Sequence, residues 1–516
     1  MGTDENSMEH PDSKRRLLLK SSILGLLATP VISCTEKRTF AQSIYLGQGV
    51  LVGEVGERSA LIQTRLTQSM ELIEGDVPGA PGRVKFQWSV SSDLTNSQVS
   101  PWIDATPARE FTVRHQLTEL VPGTTYFYKA VCEAESGEIL TSPIGSFRTQ
   151  YGDQSTEPVK MVFTTCMGYY IYHIANRNKP LAGGGPRRQG YPSLAAIKRL
   201  HPDYVSFNGD VVYFDEPIAR QVKKHTEEKV DFSQMNYVPE QGTDLRGMRR
   251  KYHEQLSQPR FHDLFASVGV YFSKDDHDHR GNDSDPYGDF PMSHDLAVAT
   301  TREQLPILPA DDLGQGVTYR THRMSKDLQV WFMEGRNHRS PNSMPDGPEK
   351  SLWGKVQKRW LRETLLASDA TFKVILNPTP MIGPDDAYKT DNHTNIGGFR
   401  YEGDEFFHWL TSQNIDPGKL FIITGDRHWQ YHAENPAGFQ EFSTGALDDS
   451  NARAGRQSGD PDSTDPDAEI IQHYVQLENN IGGGFLQLSV ARDGDTPKAA
   501  FTFFDITGKE LYSVSA

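Results

Sequence analysis

The sequence predicts a layered α/β fold with mixed sheets, preceded by an all-β segment. Three observations carry this. From about residue 155 onward, short apolar runs alternate with helical spacing, the pattern of strands joined by crossover helices. Before residue 150 the apolar residues recur at period two, without a helical stretch between them. At the C-terminus the pattern returns to hairpin strands, so the sheets should mix parallel and antiparallel pairs. The 516-residue chain is long enough for two or three domains with filled cores, and its 36% hydrophobic and 10% aromatic content is that of a folded protein. The net charge of −15 argues against a nucleic-acid-binding surface and suits carboxylate binding of hard cations.

Residues 1–34 read as a targeting segment. In "SKRRLLLKSSILGLLATPVISC", paired Arg15 and Arg16 precede an apolar stretch too short to span a bilayer comfortably, then small residues ending at Cys34. "RRLLLK" resembles a twin-arginine export signal, and "VISC" resembles a lipobox in which Cys34 is lipidated. An ordinary secretory signal cleaved before Gln42 is the alternative. Export to the periplasm or cell surface follows either way, with membrane attachment only through a lipidated Cys34. The other cysteines, Cys132 and Cys166, are too few for a disulfide scaffold.

Residues 45–150 form the all-β segment. "RVKFQWSV" alternates Val84, Phe86, Trp88 and Val90 with polar residues, and "SALIQTRL" behaves alike. "LVPGTTYFYKAV" puts Tyr126 and Tyr128 after a Pro-Gly turn and resembles the tyrosine-corner region of fibronectin type III-like sandwiches. Cys132 on that run reads as a buried structural thiol. Residues 155–516 follow as the second domain. "VKMVFTTC", "DYVSFNGD", "VGVYFSKDDHDH", "LQVWFME", "TFKVILN" and "KLFIITGD" read as strands. "SLAAIKRL", "LRGMRRKYHEQLSQPRFHDLFA" and "KVQKRWLRETLLAS" carry helical spacing between them. "GGGFLQLSVARD" and "KAAFTFFDITGKELYSVS" close the chain as hairpin strands. The Asp/Ser/Gly-rich stretch from about 446 to 468 reads as a solvated loop rather than a site, although its carboxylates could hold calcium.

Ligands of α/β sheets gather at the carboxyl ends of strands. The strand ends carry Cys166, then Asp210 with Tyr213, then Asp275, Asp276, His277 and Asp278. Further along come Glu334 with Arg336, then Asn377, then Asp426 and His428. Singly, each has a bland account: an aspartate caps a helix, a histidine packs in a core, Cys166 is a core thiol. Together they concentrate metal-ligating types at one edge. An aspartate can bridge two cations through its two oxygens. A phenolate and a thiolate favour a trivalent or soft-tolerant transition metal over magnesium, and a highly charged ion such as Fe(III) favours loss of the phenol proton. Asp210 as a bridge and Tyr213 as a donor to one ion would thus explain the Gly-Asp-x-x-Tyr spacing.

The ordered segments "GDVVY", "KDDHDHRGND" and "GDRH", preceded by the Cys166 strand, resemble the motif series of the metallophosphoesterase superfamily, and within it the PhoD-like alkaline phosphatase (alkaline phosphatase D) family. The Gly-Asp-x-x-Tyr pattern is also similar to purple acid phosphatases. The resemblance implies a fibronectin III-like domain before a metallophosphoesterase-type sandwich, twin-arginine export and hydrolysis of phosphoric esters. It implies that Cys166, Asp210, Tyr213 and His428 hold Fe(3+), with Asp210 shared, and that Asp276 and Asp426 hold Ca(2+). It implies that His277 stabilises charge or protonates the leaving oxygen and that Arg336 clamps phosphate oxygens; Asn377, from its strand-end position, is the other candidate substrate-binding residue. Asp275, Asp278, Asn282 and Asp283 either ligate calcium or fix their loop. "EGRNHR" departs from the family's Asp-x-Arg-x-Tyr-Arg at Glu334 and His338, which leaves the identity of the ester open. A sulfatase-type or phospholipase D-like esterase on the same scaffold, or a non-catalytic surface binder, are the rival readings. Arg187 and Arg188 either attract an anionic substrate or belong to a solvated loop, and His173, His393 and His432 lack the context for a role.

Overall fold

Strands with apolar residues on both faces need cover on both faces, and this chain provides it with two stacked sheets and outer helices. The computed structural model describes residues 43–181, 183–307 and 317–516. The expected targeting segment, with Cys34, lies outside them.

One sheet has nine strands. Its centre is parallel: Val159–Thr164 pairs with Tyr204–Asn208, which pairs with Gly269–Ser273. The C-terminal strands Gly484–Asp493, Thr496–Asp505 and Glu510–Ser515 join antiparallel on one side, as the hairpin pattern implied. The second sheet has seven strands around the parallel run Leu328–Phe332, Phe372–Asn377, Leu420–Thr424 and Gln440–Thr444. Alternate residues of both sheets meet in one core, where Met161, Phe163, Leu486, Leu488 and Phe501 pack with Val374, Leu376, Phe421, Ile423 and Phe442. The rings of Phe442 and Phe501 stack across it at 4.0 Å.

The opposite faces are covered by helices. Val162, Val205, Phe207, Val270 and Phe272 pack with the helices Pro192–Arg199, Leu245–Leu256 and Pro259–Phe265. Trp331, Ile375 and Ile422 pack with Gly354–Ala367 and Arg400–Ser412. The expected single helical stretch over "LRGMRRKYHEQLSQPRFHDLFA" is two helices, because Pro259 cannot donate within a continuing helix and opens a second one.

The all-β segment before residue 150 is divided between sheets. Gly82–Ser89 and Thr125–Ala134 anchor a six-stranded antiparallel sheet of their own. Val50–Gly53 instead lies parallel to Gly269–Ser273, and Ala60–Arg65 and Thr112–Leu117 extend the nine-stranded sheet from it. Residues Ala41–Ala516 therefore form one compact unit, with no distinct preceding sandwich set apart from the rest. Locally, the Tyr126 hydroxyl accepts a hydrogen bond from the Val121 N–H at 3.0 Å, a tyrosine-corner contact. Cys132 is fully buried on the same strand, and burial pushes its thiol up to about 12. Among the described residues no helix is long and apolar enough to cross a membrane.

Candidate metal centre

The carboxyl ends of the two parallel runs meet. The backbone of Gly425 lies against Asn208 O and Pro378 O, where a Cβ would sit 2.6 and 3.0 Å from them. Gly209 adopts φ +84 and a Cβ there would approach Asp275 Cβ to 2.5 Å. These contacts account for the glycine in both Gly-Asp pairs. Just past three strand ends, Cys166, Asp210 and Asp426 hold φ of 55, 54 and 61. Such left-handed conformations cost a non-glycine residue roughly 1–3 kcal/mol and cluster at functional sites. The Cys166 thiol meets the Asp210 carboxylate, and the Asp426 carboxylate lies with those of Asp275 and Asp276.

Cys166, Asp210 and His428 place a thiol, a carboxylate oxygen and a ring nitrogen within 4.8 Å of one another. The Cys166 thiol donates to Asp210 Oδ2 at 3.3 Å, and the Tyr213 hydroxyl donates to the same oxygen at 3.5 Å. A second group, Asp210, Asp276 and His277, shares Asp210, and a third joins Asp275, Asp276 and Asp426. A fourth, Asp276 with Asp283 and Asp391, extends the carboxylates outward. Six residues expected at the centre, Cys166, Asp210, Tyr213, Asp276, Asp426 and His428, are thus brought together with His277 from separate loops.

His277 Nδ1 lies 2.8 Å from Asp215 Oδ1, and its ring stacks on Tyr213 with centroids 4.0 Å apart. Burial opposes its charge, but Asp215, Asp276 and Asp210 overcome this and hold the imidazole protonated well above its ordinary range. Burial, reinforced by Asp276, drives the Asp210 carboxyl well above the carboxylate range. Burial lowers His428 to about 4, leaving a neutral imidazole with a free lone pair. Asp275 Oδ2 and Asp391 Oδ1 are buried without a hydrogen-bond partner. Buried carboxylates crowded in this way call for cations beyond those the chain supplies, and the thiol, phenol, imidazole and carboxylate donors suit metal ions.

Two expected residues are engaged by the protein itself. Arg336 is fully buried, with Nε donating to Asp275 Oδ1 at 2.6 Å, Nη1 to Ser284 O at 3.0 Å and Nη2 to Asp391 Oδ2 at 3.1 Å. Its guanidinium meets carboxylates rather than an open cleft. Asn377 accepts from Trp353 Nε1 at 3.0 Å and donates to Thr379 O at 2.6 Å, so its amide is satisfied within the core. Asp278 accepts from the Asp275 and Val211 N–H groups and pins its loop. His173, His393 and His432 bond to Gln258, Glu402 and Gln440, away from the cluster.

The stretch 446–468, expected as a solvated loop, is solvated only in part and places Asn451 in the site. Asp448, Asn451, Ser463, Thr464 and Asp465 are buried. Asn451 Nδ2 donates to Tyr213 Oη at 3.0 Å and to Cys166 O at 3.1 Å. Lys389 and Arg427, also missed, pair with Asp283 and with Asp385 and Asp426. The sequence signal was thin: a polar, aperiodic stretch reads alike whether solvated or folded onto polar groups.

The model of PhoD-like phosphatases matches residues 161–495, and that of the PhoD-like phosphatase N-terminal domain matches 33–151. The chain belongs to the PhoD-like phosphatase family. As a family member it is a metal-dependent hydrolase of phosphoric esters, and the Asp, His and Cys groups above are its candidate metal clusters. No curated protein matches the chain significantly. Among solved structures, one described as PhoD is 17% identical, with TM-score 0.66 over 91% of this chain and 88% of that one. A purple acid phosphatase from yellow lupin seeds is 12% identical, with TM-score 0.57 over 92% and 74%. Both likenesses are of fold.

Proposed function

We propose that this PhoD-like phosphatase is an exported alkaline phosphatase or phosphodiesterase working at an Fe(3+)/Ca(2+) centre. Cys166, Asp210, Tyr213 and His428 would hold the iron, and Asp276 and Asp426 the calcium, with Asp210 between them. The observation that carries the reading is the convergence of the Cys166 thiol and the Tyr213 phenol on one carboxylate oxygen, Asp210 Oδ2. Such cations, when bound, supply Lewis acidity to the phosphoryl oxygens and make water nucleophilic near neutral pH.

The chain's own groups do the rest. With Nδ1 turned to Asp215, His277 has Nε2 left to give a proton to the leaving oxygen. Asp215 fixes that ring as the carboxylate of a catalytic pair would. Arg336 keeps Asp275 and Asp391 in place and offsets their charge, a supporting role in place of the phosphate clamp. Departure of the product alcohol then needs no covalent intermediate on Ser or Cys.

Elemental analysis of natively exported protein, with rates on monoester, diester and sulfate ester substrates, tests the proposal. Iron and calcium with phosphate ester turnover are expected; sulfate ester turnover alone would overturn the substrate class. Tyr213→Phe should bleach a visible tyrosinate-to-iron band, and an unchanged spectrum removes Tyr213 from the donor set. Removal of calcium with a chelator should lower activity and leave that band.

Family membership points to export. The twin-arginine route and lipid attachment at Cys34 are part of this proposal, supported by Arg15, Arg16 and "VISC"; the mass of the mature N-terminus decides them. A fibronectin III-like character for residues 45–150 is supported by the Tyr126 contact, and Tyr126→Phe should lower the unfolding temperature.

A further inference from the structure

Asn451 touches three of the four residues of the proposed iron-binding set and is not a donor to the proposed metal itself. Its side-chain nitrogen donates to the Tyr213 hydroxyl at 3.0 Å and to the Cys166 carbonyl at 3.1 Å. Its own carbonyl oxygen lies 2.5 Å from His428 Nδ1. A backbone carbonyl only accepts, so the amide nitrogen, not its oxygen, must face Cys166 and Tyr213. For the same reason His428 must carry its proton on Nδ1, which leaves Nε2 as the ligating nitrogen.

We propose that Asn451 is a positioning residue that sets the orientation of Tyr213, Cys166 and His428 as metal donors. The inference rests on the reading of those residues as the iron-binding set. One amide fixes the phenol oxygen and the turn that carries the thiol, while the adjoining carbonyl fixes the imidazole tautomer. With a hydrogen bond from Asn451 on one side, the phenol oxygen presents its other side to Asp210.

Asn451 is itself immobilised. Leu447 N–H donates to Thr165 O at 3.0 Å, beside a parallel bridge between Thr165 and Ala446, so the stretch is tied to the strand end that carries Cys166. Arg453 N–H donates to His428 O at 2.9 Å. The side chains of Arg453 and Arg456 hold Asp386 at 2.8 and 2.5 Å. This packing ties part of a stretch rich in Asp, Ser and Gly to the rest of the protein, while Gln457, Gly459, Pro461 and Asp462 stay exposed.

The test compares Asn451→Ala and the isosteric Asn451→Asp with the native holoprotein, using Tyr213→Phe as reference. Iron retained after dialysis against a chelator should fall about 10- to 100-fold in both variants, the usual loss for an outer partner of a ligand. The visible band should move to longer wavelength, because the tyrosine oxygen has lost a hydrogen-bond donor. Thermal unfolding of the chelated Asn451→Asp protein should stay near the native value, separating positioning from folding. Unchanged retention and band position in both variants, with Tyr213→Phe bleached, would overturn this inference alone. A native protein without a Tyr213-dependent band would overturn the donor set and this inference with it.

Discussion

The two halves of the centre are built on different electrostatic plans. Around Cys166, Tyr213 and His428, among the described residues, no lysine or arginine side chain is hydrogen-bonded or ion-paired to the donor atoms; these are oriented by neutral hydrogen bonds with Asn451. Around Asp275, Asp276, Asp283, Asp391 and Asp426 the chain supplies Arg336, Lys389 and Arg427 as fixed counter-charges. The first half has the protonated His277 ring stacked on Tyr213 but no ion-paired lysine or arginine among the described residues. It therefore draws more of its positive charge from a bound ion, which suits a tightly held, highly charged metal. The second is already part-neutralised, so a weaker and exchangeable divalent ion suffices there.

The largest test of this contrast is Asp210→Asn at the shared residue. Both metals should be depleted and kcat/KM should fall by more than about a hundredfold; retention of either metal at native stoichiometry would show that the halves do not share a bridge. Next comes Arg336→Met. It leaves Asp275 and Asp391 buried without their partner, and the chelated protein should lose about 3–5 kcal/mol of stability by denaturant unfolding. Added calcium should recover part of that loss by mass action, whereas iron should not.

A smaller effect is expected at Glu402, a buried carboxylate outside both halves. Burial opposes its charge, but His393, Ser351 and Lys358 hold it at about 2, below the ordinary 4.5. Its contribution is present above pH 4.5 and is lost as pH falls toward 2. Glu402→Gln should therefore flatten the acid limb of the stability profile by about 3 kcal/mol with metal content unchanged. The smallest is Cys132→Ala, expected to cost about 1 kcal/mol and no iron. Cys166→Ala should release iron, although both thiols are fully buried.

That pair of cysteines shows what was legible. Both end up at 0% exposure on or beside a strand, and local pattern alone gives them the same account. Only the companionship of "GDVVY", "KDDHDH" and "GDRH" marked Cys166, because the strand-end rule turns motif order into spatial proximity. The same rule brought Arg336 to the centre but could not show that its guanidinium meets buried carboxylates there, nor that the Asn377 amide is bonded within the core. Asn451 was hidden for another reason. Its contacts, at sequence separations of 238 and 285 residues, leave no periodic trace.

Alternating apolar patterns, the paired strand ends and the residue types at them were determined by the sequence itself, since periodicity and donor chemistry are local properties. Whether the N-terminal strands stood alone or joined the main sheet was decided only by tertiary pairing of Val52 with Gly269. So too were the inward turn of Arg336 and the folding of part of 446–468 onto the centre. Each of those outcomes depends on which distant backbone or charge satisfies a buried polar group, and that partner is named by the packed chain rather than by its neighbours in sequence.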